Sequence, residues 1–161
     1  MSAKDDMIKA PLAVVEGWQD IPVPDLQKLY RYWLKKKGDR DMPRRADIHP
    51  DEIAGLLSGI VLVDVEYDPV RFKFRLVGTD AVLALGQDLT GRYLDEFLSR
   101  ATIQDRFQWL INHKTSYYAT SRLDWIDRNF QEYHVLGLPL GGEQGSVNMI
   151  LCGIIPFFET T

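Results

Sequence analysis

Cysteine is nearly missing from this sequence: Cys152 is the single one among 161 residues. An intrachain disulfide is therefore excluded, and so is a zinc site built from several thiolates. Long apolar runs are missing as well, and no stretch approaches the roughly 20 residues that a membrane-spanning helix needs. Near the N-terminus the longest apolar run, Ala10 to Val15, is short and follows Asp5 and Asp6, unlike a secretory leader. We therefore expect a cytoplasmic protein with no membrane partner. Positive charge is in short supply, with a net charge of −4. Nucleic-acid binders neutralise phosphates with a basic face, so no nucleic-acid partner is expected. The one basic cluster, Lys35, Lys36 and Lys37 with Arg40, reads as a solvated helix end, where cations meet the helix dipole favourably. Histidine is sparse too: His49, His113 and His134 sit at no ligand spacing and form no metal site.

What is present is a hydrophobic share of 45%, enough to build the core of one domain. Residues 1–22 carry no strong periodicity and read as a flexible arm. Leu26, Leu29, Tyr30, Trp33 and Leu34 then recur at helical spacing, and Gly38 ends that helix. The stripe must be buried against the domain or against another copy. We take it as an interaction surface for a homodimer. The linker from Asp39 to Ile48 is extended; its Arg44 and Arg45 suit an anion, a partner or plain solvent. Pro50 opens a short helix that Ser58-Gly59 closes, which completes a helical extension over 23–58.

Ile60 to Val65 is β-branched and apolar throughout, as a strand covered on both faces is. After the turn at Tyr67-Asp68-Pro69, the residues Phe72, Phe74 and Leu76 alternate with Arg71, Lys73 and Arg75, which gives one dry face and one wet face. Gly78 to Gly86 and Asp88 to Ser99 hold short helical turns, with Asp88 and Thr90 organising the turn before Gly91. A longer helix runs from about Arg100 to Lys114, with Ile103, Phe107, Leu110 and Ile111 on one side. Three strands fall within 115–127, 130–140 and 146–155, and Gly141-Gly142 turns between the last two. Two strands, then helices, then three strands make an α+β domain with helices on one sheet face. Residues 59–156 are its core and 157–161 a tail.

The stretch Leu76-Val77-Gly78-Thr79-Asp80-Ala81-Val82-Leu83-Ala84-Leu85-Gly86, followed by Asp88-Leu89-Thr90-Gly91-Arg92-Tyr93-Leu94, is similar to the second-strand, helix and glycine-turn region of PAS domains. Met42-Pro43-Arg44-Arg45-Ala46-Asp47-Ile48-His49-Pro50 resembles the entry to a bacterial subfamily in which a near-solitary PAS domain carries an N-terminal helix. Leu138-Pro139-Leu140 resembles the penultimate PAS strand. The resemblance covers 59–156, or 25–156 with the helix. It implies a five-stranded antiparallel sheet whose helices enclose a small-molecule pocket. It also implies a sensor or protein-interaction module, often dimeric through flanking helices. Fold alone does not fix function.

Photoactive flavin-binding members carry a reactive cysteine in an Asn-Cys-Arg motif on a short helix. That motif is absent, and Cys152 reads as a small buried side chain on the last strand. Covalent flavin photochemistry is not expected. Oxygen-sensing members use a histidine on the long helix. His113 ends that helix here, on a face that spacing leaves open, and it suits a terminal cap beside Lys114. Haem is not expected either, and no cofactor can be named. A pocket in the PAS position would be walled by Phe74, Leu76, Val82, Phe97, Phe107, Leu110 and Leu136, with Tyr93, Tyr118 and His134 as polar contacts. Each of these also suits plain core packing, and a strand slip of one residue would reverse every facing.

No catalytic motif appears. Ser121, His134 and Asp124 make a triad only on paper, so no catalytic residue is assigned. The leading reading is a sensory module that binds a small apolar ligand or a signalling partner. It passes its signal by protein contact, since a chain ending at Thr161 leaves no room for an output domain. The alternatives are a ligand-independent docking module and, third, a small isomerase- or cyclase-like enzyme.

Overall fold

A computed structural model of the protein describes residues 11–97, 101–122, 131–142 and 144–158. Two central strands organise it. The strand β5, Gln131–Gly141, and the strand β6, Val147–Phe158, pair in register from Gln131 opposite Phe158 to Gly141 opposite Val147. On one side β6 pairs with β2, Ile60–Glu66, which forms a hairpin with β3, Arg71–Val77. On the other side β5 pairs with β4, Tyr117–Arg122, and a two-residue strand β1, Ala13–Val14, closes that edge. The antiparallel order is β1-β4-β5-β6-β2-β3. The sheet thus has six strands where five were expected, and the extra one comes from the N-terminal arm.

That arm is tied down from residue 11 onward, not loose as periodicity suggested. Val15 donates its N–H to the Ser116 carbonyl at 3.0 Å, and Ile21 is fully buried. Edge pairing needs only two or three residues, too few to leave a repeating pattern in the sequence.

Helix α1, Pro24–Lys37, starts with proline at its first position and ends at Gly38, whose φ of 58° favours glycine. Its stripe is buried within the same chain. Leu26, Leu29, Tyr30 and Trp33 lie in the core, and only Leu34 is exposed. Leu26 and Leu29 lean over Gly153, where a Cβ would come within 2.8 and 2.6 Å of them. The Trp33 indole donates to the Pro139 carbonyl at 2.9 Å. The homodimer surface expected at Leu26, Leu29, Tyr30, Trp33 and Leu34 is therefore corrected: the sheet of the same chain takes the first four, and Leu34 alone of the stripe stays exposed. A kinked 3₁₀ run, Pro50–Gly59, continues the cover on this face.

Helix α2, Thr79–Leu85, and helix α3, Ala101–His113, cover the other face. There Gly137 makes room for the Tyr117 ring, as Gly153 does for α1 on the opposite side. The core strands are buried on both faces, which explains their continuous apolar runs. No helix among the described residues is long and apolar enough to cross a membrane.

Because Leu29 is fully enclosed, Leu29→Ala is expected to cost about 2–5 kcal/mol in urea unfolding. Leu34→Ala on the exposed flank should stay within about 0.5 kcal/mol. Similar small effects at both positions would mean that α1 does not depend on this packing.

Candidate functional site

The register decides which side chains face α2 and α3. Side chains of paired residues share a face, so Tyr117, Gly137, Cys152 and Val61 point inward together. With Phe74, Leu85, Ile103, Arg106, Phe107, Tyr133, Val135 and Ile154 they wall a cavity of about 30 Å³. That is roughly a tenth of the lower bound for small-molecule sites.

Of the expected pocket residues, Phe74 and Phe107 do line this cavity. Leu110 lies fully buried in the core nearby without reaching it. Tyr118, His134 and Leu136 face the opposite side, one position out of step with Tyr117, Tyr133 and Val135. Leu136 sits under α1 beside Gly153. The Tyr118 hydroxyl lies 2.7 Å from Nδ1 of His134, and burial lowers the imidazole pKa while raising that of the phenol. Ser121 and His134 point to opposite faces, and Asp124 lies outside the described residues, so the paper triad is not assembled. Val82 is half-buried on α2, which sends Leu85 into the cavity instead.

Leu76 is turned outward by a bulge. Leu62 pairs with Leu76 but Val63 with Phe74, leaving Arg75 as the extra residue, and Leu76 emerges 43% exposed. Tyr93 lies outside the cavity, over the β2–β3 hairpin. Its hydroxyl donates to Glu66 at 2.7 Å, and the Arg71 guanidinium stacks 3.6 Å above its ring. Phe97 is half-buried under the Arg92 guanidinium. His113 closes α3, with Nδ1 2.8 Å from the Trp109 carbonyl and the two rings stacked. Asp88 holds the turn before Gly91 by accepting from Thr90 N–H and Oγ1, which lowers its pKa.

The cavity contains groups that sequence reasoning passed over. Arg106 is only 5% exposed. Its Nε donates to the Pro11 carbonyl and its Nη2 to the Thr120 carbonyl, both at 3.1 Å, while Nη1 donates to Ser121 Oγ. It therefore staples the arm to β4. The spacing held a signal for it: Arg106 stands three residues after Ile103 and four before Leu110, within the apolar stripe of α3. Burial raises the pKa of Tyr117 far above the ordinary value, raises that of Tyr133, and pushes Cys152 up to about 12. These groups remain protonated near neutral pH and are poorly matched to general-base work.

A second concavity, of about 340 Å³, opens on the outer face beyond α1. Its floor is Ile60, Leu62, Leu76 and Leu151; its far wall is Ile48, Ile53 and Leu57, with Arg45 at the rim. Gly78 lets β3 approach the Leu57 and Ser58 carbonyls, where a Cβ would clash. Sequence reasoning missed this groove, because the bulge at Arg75 and the packing of residues 45–57 on the sheet leave no periodic mark.

An antiparallel sheet cradling short helices and one long helix is the architecture of a class of sensory and signalling modules. A family model described as PAS domain matches residues 22–155, and the chain belongs to that family. Among solved structures it is similar to an RNA-binding Light-Oxygen-Voltage receptor, at 13% identity and a TM-score of 0.53. The likeness covers 92% of this chain and 38% of that one, and at such identity it bears on the fold alone. No curated protein sequence matches the chain.

Two outcomes follow. In the unfolded chain the Cys152 thiol ionises near its ordinary value of 9.0, in the folded chain only near 12. Between these values the unfolded state gives up a proton that the native state keeps, so stability falls as pH rises, by at most about 1.4 kcal/mol per pH unit. Cys152→Ala should make that fall shallower in urea titrations run below and above the thiol's ordinary pKa. Separately, Arg106→Gln should speed hydrogen exchange at the Val15 amide while leaving the β5–β6 amides protected. Equal protection in both chains would show that the arm does not need the staple.

Proposed function

We propose that this PAS domain is a cytoplasmic sensory module that binds a small apolar ligand in its outer-face groove, passes its signal by protein contact and carries out no catalysis. The observation that carries this reading is the contrast in space. The cavity in the customary PAS position holds about 30 Å³, and the outer groove about 340 Å³. Of these two, only the second reaches the range, roughly 300–1,000 Å³, in which small-molecule sites fall. A hollow of about 480 Å³ at Arg40, Asp41, Arg44 and Gly142 reaches it too, but its lining is mostly charged residues and glycine. The groove's lining is apolar, and Leu57 and Leu76 stand exposed at it, ready to be covered. Family membership supports a sensory and signalling role. The absence of a catalytic role is supported by the raised pKa values of the tyrosines and thiol inside and by the separation of Ser121 from His134.

A ligand here acts on output only by binding two conformations unequally. The groove suits that task because one wall is the 45–57 segment and the other is the sheet. A filled interior also fits ligand-independent docking, in which a partner's side chains occupy the same groove. Native mass spectrometry of the purified chain separates the two. A reproducible bound small molecule, lost in Leu76→Asp with the melting temperature unchanged, is the expected result. A bare chain from every growth condition would leave the docking reading in its place.

A further inference from the structure

Among the described residues, one guanidinium lining the groove is not matched by a carboxylate. Residues 40–47 carry three arginines and one well-placed acid. Asp47 takes an ion pair from Arg40 at 2.9 Å and one from Arg44 at 3.6 Å. It also accepts the Arg44 N–H at 2.9 Å, the largest cause of its lowered pKa. Arg45, by contrast, lines the groove and is half-buried. Its Nη1 donates to the Ile48 carbonyl at 3.0 Å, and it forms no ion pair among the described residues. A planar guanidinium has five N–H donors and recognises carboxylates side-on through two of them. One carbonyl leaves most of that capacity unused, beside the apolar lining of the groove.

We propose that the groove binds an amphiphilic carboxylate, with its anionic head on Arg45 and its apolar body laid along Ile53, Leu57, Leu62, Leu76 and Leu151. This rests on the reading of the groove as the ligand site and adds the chemistry of the ligand. Charge and apolar surface both select it. An apolar ligand without a head group fills the trough but leaves the free Arg45 donors unused. A small polar anion leaves Leu57 and Leu76 exposed. A cationic amphiphile meets like charge at the rim. Only an apolar body ending in an anion satisfies both parts.

The test uses the full chain with decanoate, decanol and a decylammonium salt as probes, each kept below its aggregation threshold. Affinities come from calorimetry, and the position of binding from leucine-methyl chemical shifts. Decanoate is expected to bind at least about tenfold more tightly than decanol, the ratio a charge-assisted pair supplies, and the ammonium salt most weakly. Arg45→Gln should bring decanoate down to the decanol level without moving decanol, and Arg45→Lys should recover part of the loss. Leu76→Asp should abolish both. Decanoate and decanol binding alike, with no response to Arg45→Gln, overturns the head-group assignment while the groove stands. Neither probe shifting the Leu57, Leu62 or Leu76 methyls overturns the groove itself.

Discussion

The pairing of β5 with β6 is the constraint on which the rest of this molecule depends. These strands are covered on both faces, so every residue in them must commit to one side or the other. Two glycines make the commitment irreversible. Gly137 opens space on the inner face for the Tyr117 ring, and Gly153 opens space on the outer face for Leu26 and Leu29. A side chain at either position would meet atoms already there. A slip of one residue would bring both collisions at once, together with the loss of the Trp33 bond to the Pro139 carbonyl.

From that register follows the uneven use of the two faces. Inside, Tyr117, Tyr133, Cys152 and the stripe of α3 close upon each other until a space of only about 30 Å³ remains. The buried Arg106 is spent on the arm, where it joins Pro11 to β4. Outside, α1 covers the sheet centre, while the 45–57 segment reaches β2 and β3 less closely. A groove is left with an arginine at its rim. The chemistry differs as well: the interior keeps its titratable side chains protonated by excluding water, whereas the groove presents a permanent cation to an apolar trough.

Much of the secondary structure is legible in the sequence. Periodicity placed α1 and α3, β-branching placed β2, alternation placed β3, and glycine and proline marked the ends of α1 and the start of the 50–59 run. The order of elements was enough to suggest the family. The site was much less legible. Phe74 and Phe107 were placed in the cavity because the β3 alternation and the α3 stripe each have one apolar side. Tyr118, His134 and Leu136 were misplaced because β4 and β5 offer bulky residues to both sides. Leu76 was misplaced because a bulge leaves no trace in a two-residue repeat, and the α1 stripe was misassigned because a buried face looks the same whichever surface buries it.

What the sequence determined by itself was therefore the set of elements, their faces where only one is apolar, and the absence of disulfide or thiolate-metal chemistry. These follow from local rules of backbone geometry and composition. Only the tertiary structure decided which face of each doubly buried strand looks inward, that α1 folds back on its own sheet, and that the arm becomes a sixth strand. It alone brought Arg45 to the rim of an apolar groove. Those outcomes depend on contacts between residues far apart in the chain, where volume and register choose among arrangements that local patterns leave equal.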